Sequence, residues 1–148
     1  MTQEFYQENY FMLVKCIGNS ARHLSTKREK QAYAQHIHQD EVHLEINKEY
    51  QVYGITFRDG NNIPWFLVCE EDDEYPIANL GAFFEIIDNQ IPSDWAFTSV
   101  SNNAGEVSIL PKRWADDPAF LEKLDNEEED ALAYFRQLSR SLNNPDNL

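Results

Sequence analysis

Three histidines, a run of carboxylates and a set of aromatic rings are the residues of this chain that chemistry or recognition would use. His36, His38 and His43 fall within eight positions, with Asp40 and Glu41 between them. Imidazole and carboxylate are good ligands for zinc or nickel. Their H-x-H-x4-H spacing matches no structural zinc pattern, and Cys16 and Cys69 lie far from them in sequence. On a helix, positions 36 and 38 point apart; on a strand they share a face. A polar loop rich in histidine is the simpler expectation, with no cofactor and no bound metal. A metal-dependent enzyme using His36, His38 and His43 is the catalytic alternative.

Other catalytic machinery is hard to find. Cys16 and Cys69 sit in apolar surroundings, which predicts buried, inert thiols. There is no Gly-x-Ser-x-Gly or His-Glu-x-x-His motif, and five glycines leave little to build a phosphate-cradling loop. A carboxylic acid used as a general acid needs burial to lift its pKa. Glu85, between Phe84 and Ile86, is the one acid in an apolar stretch, and alternation places it on the outer face. An enzyme is therefore not expected.

The carboxylates are better read as a surface. Glu70-Glu71-Asp72-Asp73-Glu74 lacks the spaced ligands and glycine of a calcium loop, and predicts a solvated turn or an acidic lip facing a partner. Tyr53, Phe83, Trp114 and especially Trp65, Tyr75 and Trp95 flank turns, where aromatic rings serve as interface anchors. The expected partner-binding set is Glu70, Glu71, Asp72, Asp73, Glu74, Tyr75, Trp65 and Trp95.

Charge sharpens this. The chain of 148 residues carries 12 Lys and Arg against 26 Asp and Glu, a net charge of −14. Residues 1–43 are balanced, five acids against five bases, so the remaining 105 residues carry the whole deficit. The second acidic concentration is Asp125 with Glu127 to Asp130. A field of this sign repels phosphate backbones and anionic lipid, so no nucleic acid and no membrane partner is expected. Aromatic content of 13% and hydrophobic content of 42% argue against disorder. Without a run of about 18 apolar residues or a leader-like start, the expected location is cytoplasmic.

The elements that must position these residues are short strands. Residues 12–17 read as a strand, and Gly18-Asn19-Ser20 as a turn. Residues 21–43 read as an inserted, partly helical loop, with a cap at Ser25 and Leu24, Tyr33, Ile37 and Val42 to pack. Residues 50–57 are a strand whose phase slips at Gly54, predicting a bulge. Arg58 to Asn62 is a hairpin loop with an Asp-Gly core, and residues 65–69 are its return strand, apolar on both faces and hence central. Further strands are expected near 83–87, 95–100 and 107–110, the last pair around a turn at 102–105. Asp117-Pro118 starts one C-terminal helix, Asn126 caps a second, and Ala131, Phe135, Leu138 and Leu142 form its stripe. One domain over 1–148 is expected, with a β-rich body at 12–110, its insertion at 21–43 and C-terminal helices at 116–142.

Two resemblances follow from these residues. Val14-Lys15-Cys16-Ile17-Gly18-Asn19-Ser20 resembles the opening strand and turn of small SH3-like β-barrel proteins of bacteria and phages. Leu44, Lys48, Tyr50 and Val52, then Tyr75-Pro76 and Phe84-Glu85-Ile86-Ile87, continue the pattern in order over residues 12–88. Asn47 replaces the expected glycine, the first loop is enlarged, and 89–148 have no counterpart. The resemblance implies an α+β chain built on a bent antiparallel SH3-like barrel. The stretch from Tyr50 to Trp95 is also similar to acidic bacterial immunity proteins against polymorphic toxins. That implies a non-catalytic protein that neutralises a basic protein partner such as a toxin domain. A phage-derived accessory protein acting as a homodimer is the other alternative.

Overall fold

Apolar residues alternate where strands form and recur on one stripe where helices form, and both patterns are realised here. The computed structural model describes residues 12–37, 42–58, 63–70, 73–99, 106–117 and 119–143, with 141–143 described by backbone alone. His38, Asp40, Glu41, Glu71, Asp72, Pro118, the Asp59-Gly60 loop core, Val100 and the 102–105 turn lie outside the described residues. Within them the strands are β1 (Met12–Cys16), β2 (Glu49–Val52), β3 (Gly54–Phe57), β4 (Pro64–Val68), β5 (Ile77–Leu80), β6 (Phe84–Asp88), β7 (Trp95–Ser99) and β8 (Val107–Pro111). The helices are α1 (Lys27–His36), α2 (Lys112–Ala115), α3 (Phe120–Asp125) and α4 (Glu129–Asn143).

The class is mixed α+β, but the strands do not close into a barrel. They form a three-stranded sheet, β2-β1-β6, and a five-stranded sheet, β5-β4-β3-β8-β7, both antiparallel. β4 is central, as its two apolar faces require, and β6 is an edge. The expected SH3-like closure is thus corrected to two sheets, joined where β2 runs through Tyr53 into β3. Alternation specifies which face of a strand is buried, not which edges pair. Gly54 likewise marks this change of sheet and not a bulge; the register shift falls between Leu13 and Val14. A Cβ at Gly54 would lie 2.6 Å from Leu110 Cδ2, so close strand packing calls for glycine.

Two apolar clusters hold the layers. In the first, Val14, Val52, Phe66 and Phe84 of the two sheets meet Leu24 and Ala32 of the insertion, with Tyr33, Ile37 and Val42 against its rim. In the second, Tyr53, Leu67 and Leu110 meet Trp114, Leu124 and Phe135 of the C-terminal helices. Burying each large side chain contributes roughly 1.5–3 kcal/mol. α1 is started by Thr26, not Ser25, because only Thr26 has a glutamate three residues on. The Glu29 amide donates to Thr26 Oγ1 at 3.1 Å and the Thr26 amide to the Glu29 carboxylate at 3.2 Å.

Asn126 also departs from expectation, ending α3 instead of capping α4. The Glu127 amide donates to Leu124 O and the Glu128 amide to Lys123 O, with Glu127 at φ 54°. This is a Schellman closure, and it turns the chain into α4. Among the described residues no helix is long and apolar enough to cross a membrane.

Candidate functional site

Among the described residues β5 pairs only with β4, which makes it an edge strand of that sheet. Beside it lies a cavity of about 410 Å³, walled by the end of α1, the Val42–His43 segment, Arg58, Trp65, Glu70 and Asp73. The element order explains the convergence. The hairpin β3–β4 brings Arg58 over Trp65, its guanidinium carbon 4.9 Å from the ring centroid. The insertion lays His36 edge-on against the same ring, at 5.5 Å between centroids. Trp65 itself is 1% exposed, and its indole Nε1–H is buried with no hydrogen-bond partner.

Glu70 is the second unusual group. It follows five consecutive β4 residues and Cys69 into the interior and is 4% exposed. The backbone amide of His43 and the Asn79 amide, the latter at 3.4 Å, donate to its carboxylate. Burial pushes the Glu70 carboxyl above its ordinary 4.5; the two donors oppose the rise and the charge of Asp73 adds to it. Cys69 is pushed up to about 12 by burial and by Asp73, and Cys16 is raised by burial, so neither thiol is activated.

Glu70, expected on an acidic lip, and Trp65, expected as an interface anchor, are therefore interior residues. The solvated-turn expectation fails for Glu70 because the chain leaving the central strand is still covered, here by the His43 segment and Asn79. Trp65, expected as an exposed anchor, is a core residue that the His36 ring approaches edge-on and the Arg58 guanidinium lies over. Trp95 is half-buried against the first core, and Trp114 is 1% exposed in the second. Asp73 and Tyr75 are half-buried and Glu74 is exposed. Glu85 is exposed on the outer face as alternation requires, but Ile86 beside it is exposed too, on an edge strand. His36 and His43 both reach the cavity wall. Among the described residues no three His, Cys, Asp or Glu side chains are arranged to hold a metal ion.

The exposed part of the turn meets the second acidic run. Glu74 bridges to Arg136 of α4 at 3.1 Å. The Tyr75 phenol is raised above its ordinary 10.0 first by burial, then by the charges of Asp125, Glu127 and Asp73. Two carboxylate runs about fifty residues apart in sequence thus share one face around Tyr75. Arg58 and Asn79 were not singled out by sequence reasoning. Asn79 carried a signal, as the polar residue inside the apolar strand Ile77–Leu80. Comparison with protein-family models, with characterised proteins and with solved structures finds no match to this chain.

Proposed function

We propose that this chain is a non-catalytic binding protein that engages a basic protein partner, in the manner of an immunity protein neutralising a toxin domain, in the cytoplasm. The observation that carries the reading is the meeting of the two acidic runs around Tyr75, tied down by the Glu74–Arg136 contact. Exposed Glu74, Asp125 and Glu127 surround a half-buried aromatic ring. That combination suits a partner whose positive charge is steered in and whose apolar surface meets the ring. The acids at 127–130 also favour the start of α4 through its dipole, a local stabilising role that accompanies this one. The residue pattern over 12–88 supports kinship with SH3-like proteins as part of the same proposal.

The test is charge reversal of the exposed set, Glu74→Lys with Asp125→Lys and Glu127→Lys. Recovered partner should associate more slowly with the variant, and with a weaker dependence on salt. Association at an unchanged rate and salt dependence would remove this face from the binding surface.

A second reading, self-association, draws on β7. This edge strand bears no charge, and its Phe97 is 74% exposed, with Val107 and Ile109 of β8 on the same face. A concentration-dependent dimer in sedimentation that Phe97→Lys abolishes would favour it.

A further inference from the structure

Among the described residues the two sheets have four outer strands, β2, β6, β5 and β7. β2 carries the exposed Glu49, and β6 carries Glu85 and Asp88. β5 has no exposed residue and is flanked by the Val42–His43 segment across the cavity. β7 has neither protection: Trp95–Ser99 holds no charge, and Phe97 at its middle is 74% exposed. An outer strand without charge, proline or cover is a template for another strand.

The backbone of β7 sets which strand fits. The Lys112 amide donates to Asp94 O at 2.8 Å, one step beyond the paired residues Trp95 and Pro111. Hydrogen-bonded and non-hydrogen-bonded pairs alternate along an antiparallel ladder. Trp95–Pro111, Phe97–Ile109 and Ser99–Val107 are therefore the non-hydrogen-bonded pairs, and Pro111, with no N–H to give, occupies one of them. The N–H and C=O of Phe97, the C=O of Trp95 and the N–H of Ser99 thus point away from β8. The Trp95 N–H is already taken by Pro92 O at 3.2 Å. Among the described residues no strand pairs with this outer side.

We propose that β7 pairs antiparallel with β7 of a second copy of this chain, about a two-fold axis at Phe97. This rests on the self-association reading and gives it a strand, a symmetry and a register. Phe97 exchanges N–H and C=O bonds with Phe97 of the second copy. Ser99 N–H of each copy donates to Trp95 O of the other. The pairing asks nothing of the Trp95 N–H, the one outward donor already used. The two Phe97 rings meet on one face of the joined sheets, beside Val107 and Ile109. Charge favours a second copy here. Each copy carries −14, so two can approach only where the surface is neutral, and a basic partner gains nothing from a neutral edge. Asp94, just before the strand, lies away from the axis, so the two Asp94 residues stand about 20 Å apart, beyond the Debye length of about 8 Å at physiological salt.

The measurement is sedimentation of the full chain from about 1 µM to about 1 mM. A monomer–dimer equilibrium should appear and tighten several-fold toward about 1 M salt, as screening removes repulsion between acidic copies. Binding of a basic partner to the acidic face would weaken under the same change. Ser99→Pro removes only an outward N–H, and that bond occurs twice, so the dimer should weaken about tenfold or more with the melting temperature near that of the wild type. Phe97→Lys and Phe97→Glu each set like charges opposite one another across the axis, and each should weaken the dimer about tenfold or more. Mixed in equal amounts, these two variants should form a heterodimer tighter than either homodimer. A monomer at every concentration overturns this proposal and the self-association reading together, and leaves the edge to another protein's strand. A dimer that the Phe97 variants leave intact, or a mixture with no preference for the heterodimer, overturns the two-fold at Phe97 while self-association stands. The Phe97 mixture decides the question even if Ser99→Pro fails to fold.

Discussion

Glu70 and Glu74 stand four residues apart in one acidic run, and they live in different media. Glu70 is interior, held by His43 N–H and Asn79, with its carboxyl raised by burial. Glu74 is exposed and paired with Arg136 at 3.1 Å. Residue type and local sequence are nearly the same at both positions. What differs is tertiary cover: the insertion closes over position 70, whereas position 74 stays exposed and pairs with α4's Arg136 at the surface. A charge run is thus two structures, one end part of a cavity and the other part of a surface.

Charge reversal is the largest test of that difference. Glu70→Lys buries an ammonium in the interior and strands the donors of His43 and Asn79, and should cost about 3 kcal/mol or more. Glu74→Lys breaks only an exposed ion pair, and should cost at most about 1 kcal/mol. Urea midpoints at equal slope measure both. Similar losses at the two positions would abolish the distinction.

The second test is the pH dependence of stability. A carboxyl whose folded pKa is raised above its unfolded value stabilises the fold fully below the unfolded pKa, and that contribution is lost as pH rises through the folded value. For Glu70 the ordinary value is 4.5 and the shift is upward. The stability of the wild type relative to Glu70→Gln should therefore fall as pH rises from below 4.5 toward neutrality. Repulsion among the other carboxylates is common to both proteins and cancels in the difference. A relative stability that rises over the same range would mean that the hydrogen bonds from His43 and Asn79 outweigh desolvation.

Much of this fold is legible in the sequence. The alternation of β1, the two-faced apolar run of β4 and Ala131, Phe135 and Leu138 of the α4 stripe each put their residues where the two cores are. Asn47 is instructive: it takes the place of an expected glycine and adopts φ 75°, in the 45–48 turn closed by Lys48 N–H to Glu45 O. Asparagine tolerates that left-handed conformation better than other side chains do, so the substitution keeps the turn. Three things were not legible, for one reason. The return of β8 to pair with β3, the single-turn α2 that delivers Trp114, and the cover over Glu70 all depend on contacts between segments distant in sequence. Local pattern carries the periodicity of an element, whereas edge pairing and burial of a turn depend on what arrives from elsewhere.

The smallest test compares Glu70 with Tyr75, which borders Glu74. Both groups are raised first by burial, but only at Tyr75 do several carboxylates, Asp125, Glu127 and Asp73, supply the remaining shift together. Coulomb interactions near the surface are screened by salt, with a Debye length of about 3 Å at 1 M, whereas a desolvation penalty is not. Asp125→Asn with Glu127→Gln, or high salt alone, should therefore move the phenol back toward its ordinary 10.0 without reaching it. The phenolate absorption band, taken as the difference from Tyr75→Phe because the chain has seven tyrosines, follows this. The pH dependence set by Glu70 should hold nearly constant under the same salt, since burial dominates there and its Asp73 neighbour is the lesser contribution. If salt leaves Tyr75 unmoved, the two acidic runs do not act on it together, and the face proposed for a basic partner loses its electrostatic unity.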